Sequence, residues 1–139
     1  MRILIGFVFL FFSALVTGEN VDGKNINDEA IRPFTSDGCS LFPNGTPKQS
    51  ELWLTCCTAH DYAYWQGGTY QQKVNADESL KQCVAEVGQP KIANLMLAGV
   101  IVGGSPYLPT PFRWGYGWSY LRGYKALTEN ELKQIRLLQ

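Results

Sequence analysis

This chain has one histidine, four cysteines and no surplus of charge, with 12 basic against 12 acidic side chains. A lone histidine excludes chemistry that needs two imidazoles. With the cysteines bridged, too few nitrogen and sulfur donors remain for zinc. Balanced charge argues against a nucleic-acid protein, which carries a basic surplus. After the N-terminus no apolar run is long and clean enough to span a bilayer; Ile92 to Val102 comes nearest and is too short. Internal repeats and a second domain are also missing.

What is there begins with an export signal. Arg2 is followed by an almost wholly apolar stretch from Ile3 to Val16, short for a membrane span, and Val16-Thr17-Gly18 offers a cut before Glu19. The alternative is an uncleaved N-terminal anchor. No cysteine follows the cut, so nothing supports a lipoprotein anchor. With residues 1–18 removed, and Arg2 lost from the 12 basic and 12 acidic side chains, the net charge is −1. The remainder, 19–139, suits one domain with one core, and the expected location is secreted or periplasmic. That core should lie roughly over 34–103, with 104–139 as a C-terminal extension.

Four cysteines in a small exported chain predict two disulfides. Cys56 and Cys57 are adjacent and ill placed to bridge each other. Cys39 and Cys83 should therefore each take one of them. Helical neighbours point about 100° apart, so one can reach a preceding loop and the other a following helix.

The expected fold is mainly α. Glu19 to Pro33 reads as a polar arm and Thr35 to Gln49 as a loop, in which Asn44-Gly45-Thr46 matches a glycosylation sequon. Glu51 to Trp65 has helical spacing with Ser50 as a plausible N-cap. Gly67-Gly68 ends that helix. Thr69 and Gln72 form a capping box for a second one, whose inward stripe is Val74, Asp77, Leu80, Cys83, Val84 and Val87, with Gly88 at its end. So short a turn predicts antiparallel packing. Pro90 suits the first turn of a third helix over Lys91 to Val102. In the tract 105–124, Phe112, Trp114, Tyr116, Trp118 and Tyr120 occupy alternate positions, which suits an extended segment. Thr128 and Glu131 cap a last helix, with Leu127 and Leu132 as a staple.

His60 lies seven residues before Gly67 and Asp77 nine after Gly68. At 1.5 Å per residue these are about 10 and 13 Å from the turn, so the two side chains are nearly level. A carboxylate on that apolar face is costly unless paired, and His60 is the partner to hand. Tyr64, one turn on, can offer its hydroxyl to the same carboxylate. Asp77 would then orient the imidazole and His60 would act as general base on water. Asp61 points elsewhere and suits a hard cation, if the Asp37 loop adds oxygens.

Cys56-Cys57-Thr58-Ala59-His60-Asp61-Tyr62-Ala63-Tyr64, followed by Asp77 and Cys83, resembles secreted phospholipase A2. The loop from Asp37 to Pro43 resembles the microbial branch of that superfamily, and the likeness spans roughly Asp37 to Val84. It implies a pair of antiparallel disulfide-linked helices with bridges Cys39–Cys57 and Cys56–Cys83. It implies catalytic roles for His60, Asp77 and Tyr64, and a calcium ion held by Asp61, Asp37 and the Gly38 carbonyl. It further implies hydrolysis of a glycerophospholipid ester at a membrane surface, with release of a fatty acid. The glycine-rich calcium loop of the animal enzymes is absent, Ser40 replaces its glycine, and Ala63 replaces a cysteine.

Each residue also has a plainer reading. A lone histidine on an apolar helix face is often a core residue, Asp61 a solvated charge, and Asp37 an Asx-turn residue. The aromatic tract reads as a cover over the helices. It also reads as a lipid-facing rim in which Arg113 and Arg122 meet anionic headgroups, as a narrowed entrance, or as a protein-binding face of Trp114, Tyr116 and Trp118. The alternative function is a catalytically silent relative that binds lipid or a protein partner; a third is a disulfide-stabilised structural protein with no site.

Overall fold

The structure is a computed structural model that describes residues 29–138. The export signal and most of the polar arm lie outside the described residues. Four helices follow in order: α1 (Leu54–Gln66), α2 (Tyr70–Glu86), α3 (Pro90–Gly103) and α4 (Glu129–Leu137). Among the described residues the only β pairing is an isolated bridge between Thr46 and Gln49, so the chain is mainly α. No described helix is long and apolar enough to cross a membrane.

α1 starts later than its spacing predicts, and Ser50 does not cap it. Trp53 is the N-cap and offers no side-chain bond. The chain from Asn44 to Trp53 folds back on itself: the Trp53 amide donates to the Asn44 carbonyl and its indole to the Pro43 carbonyl. A loop carbonyl thus takes the bond that a serine side chain would have made. α2 begins as expected, with the reciprocal Thr69 and Gln72 bonds both formed. α4 has the same device in Thr128 and Glu131.

Disulfides join Cys39 to Cys57 and Cys56 to Cys83. The second ties the start of α1 to the end of α2, and the turn 67–69 joins their other ends, so the two helices run antiparallel. α3 packs along α2. A first apolar cluster holds Trp53, Cys56, Cys57, Leu80, Val84, Ala93 and Met96 between these helices. A second gathers Ile31, Trp65, Trp118 and Ile135, so packing reaches either side of residues 34–103. The expected stripe of α2 differs at one position, Val87, which is exposed at the helix end, and Lys73, which lies outside that stripe, is buried.

The tract after α3 is a chain of turns rather than an extended segment. Its path is set by the end of α1, whose last four carbonyls have no partner within the helix. Gly67 N–H donates to Ala63, Gly115 N–H to Tyr64 (2.7 Å), Gly117 N–H to Trp65 (3.1 Å) and the Trp118 indole to Gln66 (2.7 Å). The Trp114 indole donates to the Gly68 carbonyl, two residues further on. Gly117 is glycine because a Cβ there would stand 2.5 Å from the Trp65 carbonyl oxygen. Tight turns, not a strand, bring alternate tryptophans onto one helix end.

Candidate active site

α1 carries His60, Asp61 and Tyr64, and α2 carries Lys73 and Asp77. His60 Nε2 lies 2.9 Å from Asp77 Oδ1, and the Tyr64 hydroxyl donates to the same oxygen at 2.7 Å. Lys73 Nζ donates to the other oxygen, Oδ2, at 2.7 Å and to the Val100 carbonyl of α3 at 3.2 Å. All four side chains are buried, and the imidazole also lines the cavity described below. Burial alone would raise the Asp77 carboxyl. Hydrogen bonds from His60, Lys73 and Tyr64, with the Lys73 charge, outweigh it and hold the group below the usual carboxylate range. Burial and the Asp77 charge push Tyr64 ionisation far above the phenol range, so its hydroxyl stays a donor.

An ionised Asp77 can only accept, so the network assigns the proton to His60 Nε2. The other ring nitrogen, Nδ1, then carries the lone pair. His60 lines a cavity of about 280 Å³ whose walls are mostly apolar, among them Leu80, Leu95, Met96, Val100 and Phe112. The imidazole that carries this lone pair therefore borders a slot suited to a hydrocarbon chain.

A second, more polar cleft of about 210 Å³ adjoins the first, with Ser40, Asp61 and Phe112 lining both. Asp37, Ser36 and Tyr116 complete it. Ser36 Oγ donates to Asp61 Oδ2 at 2.6 Å, and Ser40 Oγ to Asp37 Oδ1 at 2.9 Å. Burial pushes the Asp61 carboxyl up to about 6; the Ser36 bond and His60 pull it down, and the Asp37 charge pushes it further up. Among the described residues no group of three or more histidine, cysteine or acidic side chains is placed to hold a metal. The donors at this cleft are all oxygens, which suits a hard cation over zinc.

His60, Asp77 and Tyr64 thus come together as expected, and Asp61 and Asp37 face one cleft beside them. Gly38 lines the apolar cavity, and its amide donates to Ser36 Oγ. The aromatic tract differs from its outward-facing readings. Trp114 and Trp118 are 2% and 0% exposed, because they close the end of α1. Tyr116 is half-buried and donates to the Thr35 carbonyl. Arg113 is buried against the Thr110 and Trp118 carbonyls, and Arg122 pairs with Glu131 beneath the Trp118 ring, so neither reaches for a headgroup. Exposed apolar surface lies elsewhere. Leu41 (89% exposed) and Leu95 line the cavity and are open to solvent, and Ile101 and Val102 are exposed on the same helix as Leu95.

Lys73 is the site residue that the sequence expectations omit. Its signal was present: it sits four residues before Asp77, so both must share one helix face. The exposed rim was legible too, in a third helix whose residues 95–103 are all apolar and cannot all face inward. No family model matches this chain, and neither curated proteins nor solved structures give a match.

Proposed function

We propose that the protein is an exported, calcium-assisted acyl-ester hydrolase of the phospholipase A2 type. The observation that carries this is a buried imidazole held by a carboxylate on Nε2 while its own ring lines an apolar slot. In this mechanism a water hydrogen-bonded to Nδ1 adds to the ester carbonyl and gives its proton to His60. Asp77 stabilises the imidazolium that forms. Collapse of the tetrahedral adduct breaks the bond to the alcohol, which takes the proton from Nδ1. A fatty acid and a lysophospholipid leave, and the imidazole is neutral again. Leu80, Met96 and Phe112 hold the acyl chain and exclude bulk water.

Asp61 and Asp37 would hold calcium, with the Gly38 carbonyl and solvent filling out the oxygen set. When bound, the ion supplies positive charge for the developing oxyanion. Support comes from two carboxylates facing one cleft without a cationic side chain among its lining residues. The substrate is met at a lipid surface, where Leu41, Leu95 and Val102 would enter the acyl boundary.

The test is hydrolysis of phospholipid vesicles by the mature chain with calcium, with chelator, and as His60→Ala. Loss under both treatments is expected; activity indifferent to both rejects the proposal. The exposed rim also favours a second reading, a lipid-binding protein without catalysis. It expects vesicle binding that survives His60→Ala and falls when Leu41 and Val102 become serine.

A further inference from the structure

We infer that Lys73 is a positioning residue for the catalytic pair: it fixes Asp77 by the oxygen that His60 and Tyr64 do not use. This rests on the hydrolase reading of the His60 site, though one of its measurements does not.

The geometry is unusual in its completeness. A carboxylate with one oxygen bonded can still swing about its Cβ–Cγ bond. Asp77 cannot do so cheaply, because Oδ1 takes His60 and Tyr64 while Oδ2 takes Lys73 at 2.7 Å. The ammonium is itself fixed. Its neighbours are the Asp77 oxygen, the Val100 carbonyl at 3.2 Å and the Tyr64 ring, whose centroid lies 5.4 Å from Nζ. Lys73 is only 4% exposed, so no water replaces these partners. A buried lysine loses several kcal/mol of hydration and persists only where its partners are complete.

The same contacts tie three helices together at one point. Lys73 and Asp77 belong to α2, His60 and Tyr64 to α1, and Val100 to α3, where it also lines the apolar cavity. Lys73 itself is not among the residues lining that cavity, so it has no route to the ester. Its effect must pass through Asp77 to the orientation of the imidazole. A misplacement on the order of 1 Å in such a pair costs up to about 100-fold in rate.

The test replaces Lys73 by methionine, alone and together with Asp77→Asn, in the full mature chain. Lys73→Met should lower kcat about 10- to 100-fold while KM stays within about threefold, and Lys73→Arg should recover part of the loss. In the Asp77→Asn background the same change should cost nothing further. A kcat within about threefold of the parent, or an equal loss in both backgrounds, overturns the inference. If the methionine chain does not fold, Lys73→Gln takes its place: it keeps a donor, but one bond shorter, so a smaller kcat loss that still exceeds about threefold is expected, and a kcat within about threefold of the parent overturns the inference. If the parent shows no hydrolysis, the hydrolase reading fails by itself, and Lys73 is then judged on the lone histidine. Its hydrogen-bonded Nε2 proton should give one downfield NMR resonance that shifts or broadens away in the folded Lys73 variant. An unchanged resonance overturns the inference.

Discussion

Gly104 leaves the space that the Tyr64 hydroxyl occupies. A Cβ at position 104 would overlap that hydroxyl and stand 2.6 Å from both the ring Cε1 and the Val100 carbonyl oxygen. The end of α3 is therefore shaped around a donor to Asp77. Gly104→Ala should destabilise the fold by about 1–3 kcal/mol through overpacking and lower any activity of the site with it. Gly99, inside the same helix, meets nothing within 4 Å, so Gly99→Ala should stabilise by about 0.5–1 kcal/mol. Urea denaturation of the pair checks both signs.

Trp118 is a structural residue, and its replacement should be read in stability before binding. Trp118→Ala should cost about 3–5 kcal/mol, since it empties a fully buried site and opens the Gln66 carbonyl. Trp118→Phe keeps most of the volume and loses the bond, at about 1–3 kcal/mol. Thermal melting separates the two. Vesicle binding by the folded Trp118→Phe chain should equal that of the parent.

The two disulfides should fail differently. Cys56–Cys83 clamps the helix pair across 27 residues, and Cys39–Cys57 holds the Asp37 loop across 18. Replacing either pair by serine should cost about 3 kcal/mol by loop-closure entropy. On the proposed calcium site, calcium should raise the melting temperature of the parent, and only loss of Cys39–Cys57 should also abolish that rise, because it frees Asp37 while α1 keeps Asp61. Calorimetry with and without calcium distinguishes them.

Two acids set opposite pH trends. Burial would raise Glu131, but the Arg122 bond, the Thr128 amide and the charges of Arg122 and Lys125 hold it at about 2, against 4.5 unfolded. Its stabilising contribution is present above pH 4.5 and lost as pH falls through about 2. Asp61 is raised to about 6, so its contribution is full below pH 3.8 and is lost as pH rises through about 6. Denaturation across pH should show Glu131→Gln flattening the acid limb and Asp61→Asn flattening the interval between 3.8 and 6. The proposed calcium site requires ionised Asp61, so any stabilisation by added calcium should weaken as pH falls below about 6.

The parts of this molecule written in local spacing were legible in the chain. Capping boxes at Thr69 and Thr128, the height match of His60 and Asp77, and the two directions offered by Cys56 and Cys57 all follow from helix geometry. The late start of α1 did not, because the carbonyl that takes the Trp53 amide in place of Ser50 comes from loop residue Asn44, and Pro43 anchors the Trp53 indole. Nor did the course of the aromatic tract. Alternation there imitates a strand, while the real constraint is a set of helix-end carbonyls some 50 residues earlier in the chain, such as the pairing of Trp118 with Gln66 at a separation of 52. For Lys73 the spacing to Asp77 was legible, but its burial was not, since the second acceptor, the Val100 carbonyl, comes from α3.

The closing of α1 by residues 115–118 gives the molecule a timetable. On a growing chain, α1 and α2 are neighbours and can pair, and both cysteines of their clamp are present, before any closing residue exists. Until Trp118 arrives, the Tyr64, Trp65 and Gln66 carbonyls must be served by water or by another molecule. The half-built site is thus complete in its chemistry before it is sealed, and the last fifth of the chain decides when it becomes a protected interior.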